Sequence, residues 1–363
     1  MGIIYIIGTV QAFFIEFLLL NKKKKGLADK ILAIWMFVLG VHIFLYYLFY
    51  IEYYNIFPHF MGVAQPVPML HGPLLLLYIQ ALIYPNARIS KTHLLHFIPP
   101  LLFYILIFPD AFLTTGPELL KFAFETLQTD PPLYWGIFMI LNQISGAVYV
   151  VWSLIILKKH RKNIANNFSY IEKINLDWLV KLIIGMAVIW AVVLIVQLDD
   201  YIYIAATAFV FLIGYFGSRQ GAIFTDNSAV TNISKSDADK YRKSSLTSDQ
   251  SRQYLDALQK LIEEEKPYLE TKITLKDISE RLGVHPNHLS QIINEQLKVN
   301  FYDFINQYRV EEFKKRLTED TTKKFTLLAH AYDSGFSSKS SFNEVFKKFT
   351  GLTPSQYQKE AIS

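Results

Sequence analysis

Apolar residues fall along this chain in two regimes. Over residues 1–217 they form long runs, at 3–20, 27–50, 60–84, 94–113, 133–157, 178–198 and 201–217. About 20 residues of helix cross the hydrocarbon core of a bilayer, so these runs predict seven transmembrane helices. Residues 218–247 are rich in Ser, Asp, Asn and Lys, lack apolar periodicity and read as a flexible cytoplasmic linker. Apolar positions then return at helical spacing. Tyr254, Leu255, Leu258, Leu261 and Ile262 line one side of an amphipathic stalk helix over 248–266, with Ser248 as its cap. Such a stripe suits either a homodimer or docking on the next domain.

Over 267–363 the pattern becomes more specific. In "TLKDISERLGVHPNHLSQIINEQL" (274–297), Leu275, Ile278 and Leu282 face inward on a helix that stops at Gly283, where a left-handed turn costs little. Pro286 suits the first position of a second helix, which buries Leu289, Ile292 and Ile293. Small Ser279 leaves room for a close crossing. This is helix-turn-helix spacing, and it leaves Asn287, His288, Ser290, Gln291 and Asn294 outward, short side chains able to hydrogen-bond base edges. A long helix follows, opened by Asn300 and Asp303, with Phe301, Phe304, Ile305, Tyr308, Phe313 and Leu317 in one stripe.

The design then repeats. Leu327, Leu328 and Ala331 precede Gly335, 52 residues after Gly283, and the next helix buries Phe342, Phe346 and Phe349. Lys339, Lys347 and Lys348 suit phosphate contacts, and the turn at Ser337 and Ser338 offers a helix N-terminus to a phosphate. Thr353 and Pro354 open a closing helix. Two such units on one connecting helix predict two reading helices in successive major grooves of double-stranded promoter DNA. The fold class expected is all-α: a polytopic seven-transmembrane-helix bundle over 1–217, the linker over 218–247, the stalk over 248–266, and a double helix-turn-helix DNA-binding domain over 267–363.

Charge adds orientation to this picture. The net charge of +5 is too mild to argue for nucleic acid by itself. Positive residues near membrane helices stay on the cytoplasmic side. The first, third and fifth connections carry Lys22 to Lys25 and Lys30, then Arg88 and Lys91, then Lys158, Lys159, Arg161, Lys162 and Lys173; the second, fourth and sixth carry only Lys121. That alternation predicts an outside N-terminus and a cytoplasmic C-terminal domain. The outer loops hold Glu52, Asp110, Glu118, Glu125, Asp130, Asp199 and Asp200. The first apolar run has no basic residues before it and no small-residue cleavage site, so it reads as a retained helix. With no cysteine in the chain, disulfide scaffolds, thiolate metal sites and cysteine nucleophiles are excluded.

Polar residues inside membrane spans are costly and so mark functional candidates. His71, Glu16, Gln65 and Gln80 form the possible signal site for an unknown ligand, because the prolines of "QPVPMLHGPLLLLYIQ" (65–80) break or kink the helix, and a broken helix frees backbone groups that can line a cavity. The alternative is that these residues only let helices pack closely. Gln11, His42, Asn142, Gln143, Lys181 and Gln197 are further intramembrane polar positions. His93 and His96 share a helical face, but no third ligand is placed, so no metal is expected. No phosphate-cradling glycine loop, H-E-x-x-H motif or nucleophile with a placed base is present, so neither a cofactor nor an enzyme is expected.

Residues 273–358 resemble the DNA-binding domain of AraC/XylS-family bacterial transcription regulators, on "LSQIINEQLKVNFYDFINQYRVEEFKKRL" and "DSGFSSKSSFNEVFKKFTGLTPSQY". The whole chain resembles membrane-bound members with a seven-helix N-terminal half, on "HGPLLLLY" and "HFIPPLL". The resemblance implies base reading by Asn287, Ser290 and Gln291 in the first unit and by Lys339, Ser340, Asn343 and Glu344 in the second. It also implies a bacterial inner-membrane location. His330 stands where the family has a buried aliphatic residue, so it needs a hydrogen-bond partner or the second unit loses stability. Glu344 stands where arginine is common, and a carboxylate there accepts from a cytosine amine rather than binding phosphate. The function expected is a membrane-embedded one-component regulator. The alternatives are a transporter or integral-membrane enzyme with a regulatory DNA-binding domain, or seven helices serving only as an anchor.

Overall fold

A computed structural model describes residues 1–84, 89–170, 176–219, 247–320 and 324–362, with the side chains of 177, 217–219 and 361–362 left undescribed. The expected linker over 218–247 lies almost wholly outside the described residues, as do Arg88 and Lys173. The chain divides into two compact units, 1–158 with 176–233 and 159–175 with 234–363. Described elements are helical, apart from an isolated antiparallel bridge between Phe168 and Thr274.

The first unit is built from α1 (Gly2–Leu20), α2 (Leu27–Tyr50), α3 (Phe60–Ala64), α4 (Pro68–Ile83), α5 (Ile98–Phe112), α6 (Leu133–Asn167, whose residues from 159 onward belong to the second unit), α7 (Asp177–Ala191) and α8 (Asp199–Arg219). Among the described residues, seven stretches here are long and apolar enough to cross a membrane, with α3 and α4 together forming the third. The break between those two falls at residues 65–67, where Pro66 and Pro68 remove backbone donors; Pro68 then starts α4, the position a helix tolerates best. The sequence expectation of a broken third span is met.

Two helix ends depart from the apolar pattern. The expected span over 133–157 continues as helix through "KKHRKNIANN" to Asn167, because hydrophobicity marks the edge of the apolar run and not the end of the hydrogen-bond ladder. The expected span over 178–198 is regular only to Ala191; a π-turn over Val192–Val196 ends at Gln197 with φ 55°. Inside the unit, Trp35, Met36, Leu75, Leu179, Leu182 and Ile213 are fully buried. Small residues allow the closest crossings: a Cβ on Gly72 or Gly146 would overlap the ring of Tyr149 or Trp190. Large apolar side chains such as Ile3, Phe17, Ile105, Ile140 and Ile195 stand exposed on the outside.

The C-terminal unit comprises α9 (Ser248–Glu265), α10 (Leu275–Leu282), α11 (Pro286–Glu295), α12 (Phe301–Glu319), α13 (Leu327–Asp333), α14 (Lys339–Thr350) and α15 (Pro354–Ile362). Thr247, not Ser248, caps α9, its Oγ1 accepting from the Gln250 N–H at 3.3 Å. The α9 stripe docks at home: Leu258 and Ile262 share a core with Ile278, Leu289, Ile293, Phe301 and Ile305. Of the two uses expected for that stripe, these two residues serve the second. A separate core joins Val310, Phe313 and Leu317 to Ala331, Phe336, Phe342, Val345 and Phe346. Thus α12 carries one helix-turn-helix on its first half and the other on its second.

Candidate nucleic-acid interface

Each reading helix is set by its cap and its turn. In the first unit the Thr274 and Asp277 side chains cap α10 reciprocally, and Gly283 ends it at φ 66° in open space. His285 precedes α11, its Nδ1 accepting from the Asn287 N–H at 3.2 Å. In the second unit Thr326 caps α13, and Ser338 caps α14 by accepting from the Ser341 N–H at 3.2 Å. The turn between them contains Gly335 at φ 91°.

The faces these helices present are narrower than periodicity alone indicates. On α11, Asn287 and Gln291 are exposed, and Gln291 donates to Glu295 at 3.0 Å. Ser290 and Asn294 are half-buried and engaged with each other, the Asn294 Nδ2 donating to the Ser290 carbonyl at 2.7 Å. His288 is half-buried, with its Nε2 enclosed. On α14, Lys339, Ser340, Asn343 and Glu344 are all exposed, as are Ser337 and Lys347. Lys348 is also exposed, but it donates to Asp303 at 2.6 Å, so a phosphate there competes with an internal ion pair.

His330 has found the partner its burial requires. It is 5% exposed, and its Nε2 lies 3.1 Å from Asp320 Oδ2. The same carboxylate accepts the backbone N–H groups of Lys324 and Phe325, each at 3.0 Å. A buried imidazole is costly only when unpaired, so the departure at His330 leaves the second unit intact.

Pattern reading missed the centre of this unit. Arg309 is 2% exposed. Its Nε donates to the Tyr268 carbonyl at 2.8 Å, and its Nη2 to the Glu270 and Thr271 carbonyls at 2.8 and 3.3 Å. Its Nη1 donates to the Ser169 carbonyl at 3.1 Å and to Asn306 Oδ1 at 3.2 Å. The guanidinium fork thereby fixes the chain entering the first unit onto the helix that carries both. Tyr268 is held in the same place, and burial, reinforced by Glu312, pushes its phenol up to about 12. The available signal was an arginine interrupting the apolar stripe of α12, one residue beyond Tyr308.

In the N-terminal compact unit, residues 1–158 with 176–233, a polar chain links three helices. The Trp35 indole N–H donates to His71 Nδ1 at 3.3 Å, His71 Nε2 meets His42 Nδ1 at 3.0 Å, and His42 Nε2 meets the Tyr203 hydroxyl at 2.8 Å. An indole can only donate. His71 therefore carries its proton on Nε2 and passes a hydrogen bond to His42, whose own proton sits on Nε2 toward Tyr203. Tyr203 stacks on Tyr46 with ring centroids 3.7 Å apart, and the Tyr46 and Tyr5 hydroxyls both donate to Asp200, at 2.9 and 2.6 Å. Of the four signal-site residues expected, His71 enters this chain, together with His42; Glu16, Gln65 and Gln80 are half-buried elsewhere. His93 and His96 do not converge. His93 accepts from the Ser90 N–H and His96 meets the Tyr149 hydroxyl at 2.9 Å.

Comparison with known proteins supports the C-terminal reading. Residues 278–360 match the family described as "Helix-turn-helix domain". An uncharacterized HTH-type transcriptional regulator of Staphylococcus aureus strain COL is 40% identical over 86 residues, 24% of this chain and 11% of that protein. The uncharacterized HTH-type transcriptional regulator YtdP of Bacillus subtilis strain 168 is 29% identical over 94 residues, 26% of this chain and 12% of its own. The chain thus spans about a tenth of the length of the curated relatives it matches. A solved protein of unknown function from Listeria innocua aligns at 28% identity over 29% of this chain and 94% of that one, with a TM-score of 0.25. With the paired turns at Gly283 and Gly335 and the capped helices behind them, residues 278–360 are a helix-turn-helix domain of the AraC type.

Proposed function

We propose that this chain is a membrane-embedded transcription regulator: its C-terminal unit binds promoter DNA through two reading helices, and its seven-helix half anchors it in the membrane and receives a signal. The observation that carries the DNA-binding part is the repeated helix-turn-helix on α12, with Asn287 and Gln291 on one reading helix and Lys339, Ser340, Asn343 and Glu344 on the other, all exposed. Ser337 and Lys347 contact phosphate beside them, with Lys348 contributing once released from Asp303. His288, Ser290 and Asn294 shape the first reading helix from behind.

The broad apolar exterior of the first unit supports residence in a bilayer, since soluble monomers rarely expose apolar patches above a few hundred Å². The alternating loop charge supports a cytoplasmic-membrane location with the C-terminal unit inside. The His42–His71 chain supports reception of a signal. Paired imidazoles in a hydrophobic bundle are expensive, and these link Trp35 to Tyr203, whose ring stacks on Tyr46, a donor to Asp200 in the acidic outer connection. A pure anchor has no use for them.

The test is a reporter driven by a promoter that the full chain occupies, read across external pH and solute conditions. For a coupled site the output range is about 5- to 150-fold. His42→Phe and His71→Phe are expected to collapse that range toward one while the chain still occupies the promoter. Full range in both variants removes this site from signalling.

A further inference from the structure

The fifth membrane helix does not stop where its apolar run stops, and what it reaches is the DNA-binding unit's own framework. Helix α6 runs unbroken from Leu133 to Asn167, and residues 159–175 belong to the C-terminal unit. Ala165 packs against the core formed by Val310, Phe313 and Phe346. Phe168 pairs with Thr274 in an antiparallel bridge, and Ser169 is 1% exposed.

Ser169 is held from every side. Its N–H and its Oγ both donate to the Ile273 carbonyl, at 3.3 and 2.7 Å. Its carbonyl accepts from Arg309 Nη1 at 3.1 Å and from Asn306 Nδ2 at 3.2 Å, and its Oγ accepts from Arg309 Nη2 at 3.2 Å. Asn306 is itself fully buried. These partners sit on α12 between Phe304 and Ile305 of the first helix-turn-helix core and Val310 and Phe313 of the second, on a stretch where Tyr302 and Tyr308 interleave the two cores. Any relative movement of the two reading units passes through this point. Pulling Ser169 out would strand buried donors of Asn306 and Arg309, so the contact has two states, made or broken, rather than a graded one.

We propose that this surface is the signal input of the DNA-binding unit: the segment 159–170, the cytoplasmic extension of the fifth membrane helix, docks by Phe168 and Ser169 on Asn306, Arg309 and the 273–274 backbone, and docking sets the spacing of the two reading helices. This deepens the reading of the seven-helix half as a receiver and rests on it. It assigns the coupling to the fifth membrane helix and not to the connection after the seventh. Binding two successive grooves requires a fixed spacing, so the docked state has the higher DNA affinity.

The absence of native cysteine makes the test direct. Directly opposed residues of an antiparallel pair bring their Cβ atoms about 4.5–5.5 Å apart, close to disulfide reach. In full-length Phe168→Cys/Thr274→Cys in native membranes, mild oxidation is expected to form an intrachain disulfide that neither single variant forms. The oxidised protein is expected to bind a duplex selected by the full chain at least about tenfold more tightly than Ser169→Trp, the equilibrium factor that one charge-assisted hydrogen bond can supply. Where amide exchange shows the tryptophan variant unfolded, Ser169→Leu replaces it. Failure to crosslink overturns the docking, and equal affinities within twofold overturn its control of DNA binding. The crosslink is read on a gel without DNA, so failure to select any duplex would count against the regulator reading while leaving the docking result standing.

Discussion

Arg309→Met is expected to destabilise the C-terminal unit by about 3 to 5 kcal/mol, the cost of stranding several buried polar groups that shared one charged partner. The substitution keeps the aliphatic stem and removes the fork. It takes the donor from the Tyr268 and Thr271 carbonyls and from Asn306 Oδ1, and one of two donors from the Glu270 and Ser169 carbonyls. All five tryptophans, at 35, 135, 152, 178 and 190, lie in the first unit, so their fluorescence serves as a control that this unit is unchanged. The measurement is amide exchange of α12 in the full chain. Exchange faster by roughly two to four orders of magnitude, the kinetic image of that free energy, is the expected result. Arg309→Lys should recover only a fraction, because an ammonium cannot serve two carbonyl directions in one plane. Unchanged exchange in Arg309→Met would mean that the guanidinium network contributes nothing.

The two turn glycines separate just as sharply. Gly283 and Gly335 both have positive φ, 66° and 91°, and the sequence treats them as equivalents. Their surroundings differ. A Cβ on Gly283 meets nothing within 4 Å, whereas one on Gly335 would overlap the Tyr268 carbonyl oxygen and press on Arg309 Nε and Leu269 Cα at 3.0 Å. Gly283→Ala therefore carries only the cost of a left-handed alanine, about 1 to 2 kcal/mol. Gly335→Ala adds overlap with backbone that cannot move without breaking the Tyr268–Arg309 bond, for a total of about 3 kcal/mol or more. Amide exchange of α13 and α14 in the full chain distinguishes them: strongly accelerated for Gly335→Ala, modestly changed for Gly283→Ala. Equal effects would show that the packing behind Gly335 is not what fixes the second turn.

Much of the architecture was legible because the physics that makes it is periodic. Apolar run length located the seven membrane-length helices, and the prolines located the break in the third. Glycines 283 and 335, with apolar spacing on either side, located both helix-turn-helix units. What stayed hidden depends on contacts between residues distant in sequence. Nothing in "KKHRKNIANNFSY" announces that Ser169 lies against Arg309, 140 residues away. His330 read as a liability because its partner, Asp320, is ten residues upstream across a polar connection with no helical register to relate them. The α9 stripe was correctly seen as apolar, but its covering surface could not be chosen until Leu258 and Ile262 were placed beside Ile278 and Leu289. The reading-helix faces were legible as faces. Which side chains on them are already engaged, such as Asn294 with Ser290 and Lys348 with Asp303, was not.

The functional account joins a membrane half and a DNA-reading half in one chain, and both must act in the intact protein. The most direct measurement is selection of duplexes from a random pool by the full chain in lipid nanodiscs, with binding repeated over a range of salt. The account predicts enrichment of a single motif with two parts whose centres lie about 10 base pairs apart. It further predicts affinity that falls with salt in proportion to the few phosphates contacted, and loss of preference at one part on Gln291→Ala and at the other on Asn343→Ala. A pool that emerges without any enriched motif, while the nanodisc-bound chain is folded, would contradict it.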